Sequence, residues 1–209
     1  MQTRLMAFMV AASAALFSGA AHAADGDNFV IRGDAAKQLL EQNAITIETA
    51  EKIGKGCVDL AVKQGVKLTV VIYDQFGELV YFYRMNGQGK NAVEGAIAKA
   101  KVVLATRQPS KAAQNARLQG RTTEAQQIAQ FGGLAVGGGL PILINGNQFI
   151  GAIGVGGSPF MPPDWSDEIC AWKAMTAAMG PQPALLPNLL GPGGRAAGVV
   201  NAPNPAPGR

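Results

Sequence analysis

The sequence predicts a single α/β domain in which helices pack against a sheet of about five strands. Helix-spaced apolar segments alternate with short runs rich in β-branched residues, and glycine-containing turns separate neighbouring runs. The 209 residues are enough for one domain of ordinary size and hardly for two. With 48% hydrophobic and 15% charged residues, the chain can bury a sizeable core, which argues against global disorder.

Residues 1–23 have the pattern of a secretory signal peptide. Arg4 precedes an apolar run from Leu5 to Phe17, and a small-x-small tripeptide ends at Ala23. The run is too short to anchor the chain in a bilayer. The alternative is a buried N-terminal helix, which the absence of a polar face disfavours. We therefore expect cleavage after Ala23 and a periplasmic or secreted protein with no membrane span after cleavage.

The chain contains one histidine, His22, inside the expected cleavage site. The mature chain, residues 24–209, would contain none, which excludes a Ser-His-Asp triad and a bis-histidine haem site. We expect no metal site. The formal charge of +4 is modest, and basic residues form no runs along the chain, so nucleic acid is not an expected partner.

Cys57 and Cys170 are the two cysteines, and export would carry them into an oxidising compartment. An even count permits one disulfide, whereas two buried free thiols remain an open alternative. The C-x-x-C spacing of redox and zinc motifs is absent.

The elements follow in order along the chain. Residues 24–44 are predicted to be a loosely structured lead-in, and a helix begins around Thr46 and stops at Gly65. Residues 67–73 and 78–84 form a strand pair around a turn at Asp74–Gly77. Both faces of this pair are apolar, which indicates that a second subunit covers one of them.

The second half continues the alternation. A helix capped by Asn91 runs to about Thr106, and Ser110 is expected to cap a short third helix. Asn145-Gly146 is a strong hairpin signal. The remaining predicted segments are a helical or irregular stretch at 121–131, strands at 134–136, 140–144 and 149–155, a final helix at 166–179, and a Pro/Gly-rich, weakly ordered tail at 180–209.

Two ordered sets of motifs carry a family resemblance. The first set is residues 70–80 (Val-Val-Ile-Tyr-Asp-x-x-Gly-x-Leu-Val), then Arg84, then Ala96-x-x-Lys99-Ala100. The second set is Gly138-Gly139-Leu140-Pro141-Ile142, then Asn145-Gly146, residues 150–157 and Asp167-Glu168. Together they resemble the GlcG/HbpS-like haem-binding family, which is related to the C-terminal domain of PduO-type cobalamin adenosyltransferases. The resemblance covers roughly residues 45–179.

The resemblance implies a profilin-like sandwich with a five-stranded antiparallel sheet, assembled into dimers or larger homo-oligomers. It also implies haem as a ligand, although other relatives accompany small-acid or aromatic catabolism. Histidine is the usual axial ligand where relatives bind haem, and the predicted mature chain lacks it, which weakens the expectation of haem; no other cofactor is expected. The alternative iron ligands, each more readily explained by packing or a disulfide, are Met85, Met161, Tyr73, Tyr81, Tyr83, Cys57 and Cys170.

Five residues are the candidate site. Arg84, at a strand end, is a candidate carboxylate anchor, and Tyr83 and Tyr73 are candidates for stacking on an aromatic ligand. Lys99 lies in the family motif with Glu94 about one turn earlier, and these two are the candidates for proton transfer in a histidine-free site. The alternative for each is a surface charge or a half-buried tyrosine.

The function expected from these observations is an exported small-ligand-binding protein that takes haem, another tetrapyrrole or a small organic acid. The alternative is a cofactor-independent lyase or isomerase acting on a small oxygenated or aromatic catabolite.

Overall fold

The computed structural model describes residue 34, residues 44–157 and residues 165–189. The predicted signal peptide, most of the lead-in, Met161 and the end of the tail lie outside these residues. In chain order the elements are α1 (Ile47–Lys63), β1 (Thr69–Asp74), β2 (Leu79–Arg84), α2 (Lys90–Thr106), α3 (Ser110–Leu118), α4 (Thr122–Gln130), β3 (Gly139–Ile144), β4 (Gln148–Gly156) and α5 (Asp167–Met179).

The strands form one antiparallel sheet in the order β2-β1-β4-β3. The predicted β3–β4 hairpin is confirmed, because Asn145 and Gly146 take φ values of 54° and 80° at the centre of the turn that Asn147 N closes on Ile144 O. Gly77 in the β1–β2 turn also has a positive φ, of 88°. The α/β class predicted from sequence is therefore correct.

The predicted strand at residues 134–136 does not join the sheet, so the described part of the chain has four strands where five were expected. Leu134 N donates instead to Ala98 O of α2 at 3.2 Å. Glycines at 132–133 and 137–138 bracket the segment and turn the chain on both sides. Short apolar runs bounded by glycines cannot be identified as strands from periodicity alone.

One face of the sheet packs against α1 and α5. Cys57 on α1 and Cys170 on α5 are joined by a disulfide, with their Cα atoms 5.2 Å apart. Both residues are fully buried in the larger hydrophobic core. The fully buried aliphatic residues of that core are Ile53, Leu68, Val70, Ile72, Ile142, Ile153 and Val155.

The opposite face packs closely against α2 because β4 presents glycines to the helix. A Cβ at Gly156 would lie 2.6 Å from Ala92 O, and one at Gly154 would overlap Ala96 O. Only glycine permits this backbone-to-backbone approach. The helix therefore lies directly over β4, with Val71 of the neighbouring strand filling the space beside it.

Two helices begin where the sequence predicted, near Thr46 and Ser166, whereas the two predicted caps differ. Thr46 Oγ1 accepts from Thr49 N at 3.3 Å and Ser166 Oγ accepts from Ile169 N at 3.0 Å, as N-caps do. The expected caps Asn91 and Ser110 lie inside their helices, because Gly89 and Pro109 occupy the N-cap positions. Within the described residues, no helix has both the length and the apolar character needed to cross a membrane.

Candidate functional site

Three helices surround the Gly137–Gly139 loop that leads into β3, and they bring four charged side chains together there. These are Lys99 of α2, Lys111 of α3, and Asp167 and Glu168 of α5, which we call the charged cluster. Lys99, Asp167 and Glu168 are only 6%, 5% and 1% exposed. Side chains with charge are rarely buried to this extent unless they are paired.

Lys99 pairs with Asp167 across the sheet. Lys99 Nζ lies 2.7 Å from Asp167 Oδ2 and donates a second hydrogen bond to Val155 O at 2.9 Å. Because α2 and α5 pack on opposite faces, this ion pair joins the two layers of helices at the start of β3. The cost of burying the two charges is offset only when such partners are well placed.

Lys111 pairs with Glu168 beside the first ion pair. Lys111 Nζ lies 2.5 Å from Glu168 Oε2. Among the described residues, no hydrogen bond reaches Asp167 Oδ1 or Glu168 Oε1, although both atoms are buried. Each carboxylate therefore keeps at least one acceptor oxygen without a hydrogen bond, which raises the cost of holding the group charged.

Burial raises the pKa of both carboxyl groups. Desolvation raises the pKa of Asp167, and the charge and hydrogen bond of Lys99 partly oppose this rise. Desolvation likewise raises the pKa of Glu168, opposed by the hydrogen bond and charge of Lys111 and then by the charge of Lys99. Raised carboxyl pKa values are typical of buried acidic groups, and they also occur in catalytic sites.

The glycine loop at the centre of the cluster is fixed by two polar side chains. Ser110 Oγ accepts from Gly139 N at 2.8 Å and donates to Val136 O at 2.7 Å. Gln114 Oε1 accepts from Gly137 N at 2.8 Å. These bonds explain why Ser110 does not serve as a helix cap, since its hydroxyl is used to hold the loop.

The structure does not bring Lys99 and Glu94 together as a proton-transfer pair. Lys99 faces the cluster, whereas Glu94 is exposed on α2. Asp167 and Glu168, which the sequence analysis quoted only as part of a motif, are the acidic partners in its place. Only their place in the family motif pointed to these two residues. Their position at the start of a helix is not specific, because Asp and Glu are common there for electrostatic reasons.

The three residues predicted to bind a ligand are divided between the two faces of the sheet. Arg84 pairs with Thr69 and Tyr83 with Val70, so these neighbours on β2 point to opposite sides. Tyr73 pairs with Leu79 on the side of Arg84. Tyr83 is 44% exposed, and burial raises the pKa of the half-buried Tyr73.

A bulge between Ile72 and Tyr73 shifts the register and places Leu79 on the same side as Phe82. Leu79 is 55% exposed and Phe82 45% exposed, and Arg84 follows them along the strand. Within the described residues, the Arg84 guanidinium makes one hydrogen bond, to Gln88 O at 3.3 Å. We call the side of β2 that carries Leu79, Phe82 and Arg84 the open face.

Few of the other candidate iron ligands are accessible. The disulfide occupies both cysteine sulfurs, and Met85 Sδ accepts a hydrogen bond from Leu68 N at 3.4 Å. Tyr81 lies against Gly54 of α1. Among residues 44–157 and 165–189, no group of three or more His, Cys, Asp or Glu side chains is arranged to hold a metal ion.

Comparisons with known proteins agree with the geometry. The protein-family model described as "Haem degrading protein HbpS-like" matches residues 45–179. No curated protein sequence matches the chain. The solved structure of HbpS is 28% identical, covering 72% of this chain and 99% of that one, with a TM-score of 0.58. A double mutant of HbpS from Streptomyces reticuli has the same identity and TM-score, and the match covers 72% of this chain and 95% of that one.

Two more distant structures share the fold. A PduOC:heme complex is 22% identical with a TM-score of 0.55, covering 64% of this chain and 94% of that one. The Klebsiella pneumoniae protein ORFY is 24% identical with a TM-score of 0.56, covering 65% of this chain and 92% of that one. The matched range includes the charged cluster and the open face, and it ends at the last residue of α5.

Proposed function

The chain belongs to the family of HbpS-like haem-degrading proteins, and from that premise we propose that it binds a flat, partly apolar organic ligand on the open face, with haem as the first ligand to test. The observation that carries the proposal is the row of Leu79, Phe82 and Arg84 on one side of the edge strand β2.

The chemistry of the open face supports such a ligand. Exposed Leu79 and Phe82 offer an apolar surface, and Phe82 can stack on an aromatic ring. Arg84 follows at the strand end, where a guanidinium binds a carboxylate through two parallel hydrogen bonds. Haem combines an apolar ring with carboxylates, and so does an aromatic acid.

The described residues do not fit a histidine-ligated haem. The single histidine of the chain is His22, inside the predicted signal peptide. Tyr83 is an exposed phenol, and a tyrosine can hold haem iron, but it points to the side of the sheet opposite the open face. The proposed binding of haem therefore rests on contacts between the open face and the ring and carboxylates of haem.

Haemin titration of the purified chain tests the proposal. We expect the absorption band of haemin to shift with a defined stoichiometry. We expect Phe82→Asp and Arg84→Gln each to weaken binding about tenfold, which corresponds to about 1.4 kcal/mol. Val62→Asp is the matched control, because Val62 is 62% exposed on α1, away from the open face. A titration that leaves the spectrum of free haemin unchanged would contradict haem as the ligand.

A second candidate function is a cofactor-independent lyase or isomerase acting on a small oxygenated or aromatic catabolite. The observation that favours it is the pair of buried carboxyl groups with raised pKa values beside Lys99. Lys99→Met should abolish turnover, whereas Lys101→Met, at an exposed position of the same helix, should not. Equal turnover by the two folded variants would reject this role of Lys99.

The proposal also includes export and assembly. The signal-peptide pattern of residues 1–23 supports export, and a disulfide is typical of exported proteins. Exposed apolar side chains outside the open face, such as Ile47 at 52% and Phe131 at 73% exposed, support a homo-oligomer. Fractionation of the producing cells and light scattering of the purified chain test the two parts separately.

A further inference from the structure

The chain continues past the family-matched residues and packs back on the domain. Residues 181–189, which we call the strap, follow α5 without forming a helix or a strand. The first part of the strap closes one side of an apolar groove between α3, β3 and α5. Pro109, Leu140, Pro141, Trp172 and Met175 form the domain side of the groove, and residues 182–185 of the strap form the other side.

Side chains of the domain hold the strap through its backbone carbonyls. Trp172 Nε1 donates to Pro183 O at 2.8 Å, and Asn115 Nδ2 donates to Pro187 O at 3.1 Å. Leu185, between these two points, packs against the main hydrophobic core. One apolar side chain and two carbonyl acceptors four residues apart therefore attach the strap.

This arrangement has the features by which proteins recognise proline-rich peptides. The strap contains Pro181, Pro183 and Pro187, which lack a backbone N–H and favour an extended backbone. Grooves that bind such segments combine aromatic and apolar walls with donors to the peptide carbonyls. Trp172 supplies both an aromatic ring and an indole donor here.

The strap is placed so that it can leave the groove. Gly180, with φ of 94°, separates it from α5 and provides a flexible joint. Pro181, Pro183 and Ala184 are exposed even while Leu185 is packed. Departure would uncover Leu140 and Met175, which are 4% and 2% exposed with the strap in place.

We propose that the groove is a recognition site for an extended, proline-containing peptide, and that residues 181–187 are its built-in ligand. An external peptide then competes with the strap, whose covalent attachment gives it a high effective concentration. The site lies outside both the open face and the charged cluster, so the proposal is independent of the ligand proposed above.

The test uses a fluorescent peptide with the sequence of residues 181–188 and the full chain. Leu185→Asp should release the strap and leave the domain side of the groove unaltered, so we expect the peptide to bind this variant at least tenfold more tightly than the unaltered chain. Val62→Asp adds the same charge at an exposed site and should behave as the unaltered chain. Adding Trp172→Phe to Leu185→Asp should weaken peptide binding several-fold, because the ring stays and the donor is lost.

The proposal is overturned if Leu185→Asp folds, by circular dichroism, and binds the peptide no better than the unaltered chain. It is also overturned if Trp172→Phe leaves the affinity of that variant unchanged. If Leu185→Asp does not fold, the double variant Pro183→Gly and Pro187→Gly replaces it, since glycine weakens the extended strap and leaves the groove intact. The same peptide measurement then decides the question.

Discussion

Lys99 Nζ on α2 lies 2.7 Å from Asp167 Oδ2 at the start of α5, and both side chains are almost completely buried. The two helices cover opposite faces of the sheet, so this ion pair connects the two layers of the domain. It also places the family motif around Lys99 next to the motif of Asp167-Glu168. The stability of the whole domain should therefore depend on the pair.

Lys99→Met should lower the free energy of unfolding by about 3–5 kcal/mol at neutral pH, because it leaves the carboxyl group of Asp167 buried without its partner. Urea denaturation followed by circular dichroism measures the change. The double variant Lys99→Met with Asp167→Leu should recover most of the loss, since neither charge remains. A double variant as unstable as the single one would show that the ion pair is not the cause.

The contribution of Glu168 to stability should depend on pH in the direction set by its raised pKa. Its folded pKa lies above the ordinary 4.5, so the folded state binds more protons than the unfolded chain between the two values. The contribution of Glu168 is thus fully present below the unfolded pKa and is lost as the pH rises through the folded pKa.

The difference in unfolding free energy between the unaltered chain and Glu168→Gln should therefore grow in favour of the unaltered chain as the pH falls from about 7 to about 4. Urea denaturation at several pH values measures it. Glu94→Gln, at an exposed site of α2, is the control for general charge effects. A difference that shrinks on acidification would mean that Glu168 has a lowered pKa.

Gly138→Ala should disrupt the charged cluster. Gly138 has φ of 121°, and a Cβ there would lie 2.8 Å from Val155 O and 2.9 Å from Lys99 Nζ. We expect a loss of roughly 2 kcal/mol or more from the strained backbone and the displaced side chains. Gly95→Ala is the control, since it lies inside α2 with open space around it and should stabilise the domain by about 0.5–1 kcal/mol. Thermal denaturation of the two variants should shift in opposite directions.

Removing the disulfide should destabilise the domain. It closes a loop between residues 113 positions apart, and disulfides of this kind contribute about 2–5 kcal/mol, mainly by restricting the unfolded chain. We expect a lower midpoint of thermal unfolding for the double variant Cys57→Ala and Cys170→Ala, and a similar decrease when the unaltered chain is unfolded in a reductant. A midpoint that reductant does not change would contradict the pairing.

The sequence predicted most elements because their signals are local. The helix starts near Thr46 and Ser166 and the Asn145-Gly146 turn depend on residues within a few positions of each other. The extra strand at 134–136 was wrong because pairing depends on a partner that is distant in sequence. Its backbone meets α2 instead of another strand.

The site was harder to predict because it depends on register and on tertiary packing. Regular alternation along β2 would place Leu79 opposite Phe82, whereas the bulge in the β1–β2 pairing places them on the same side. Lys99 was identified through its motif, but its partner Asp167 is 68 residues away and reaches it only through the packing of α5. Motif membership identified the cluster residues without indicating that they meet.

The glycines of β4 that admit α2 also determine where the helix cannot lie. Because Gly154 and Gly156 let the helix backbone sink onto one half of the sheet, a side chain on either would push it outward, and a sideways shift would meet the larger Val71 and Tyr73. The helix is thus confined to the β4 side, and β2 receives no cover from it. Close packing of α2 over β4 leaves this side of β2 uncovered. The surface available for a ligand at Phe82 therefore follows from small residues that lie two strands away, on β4.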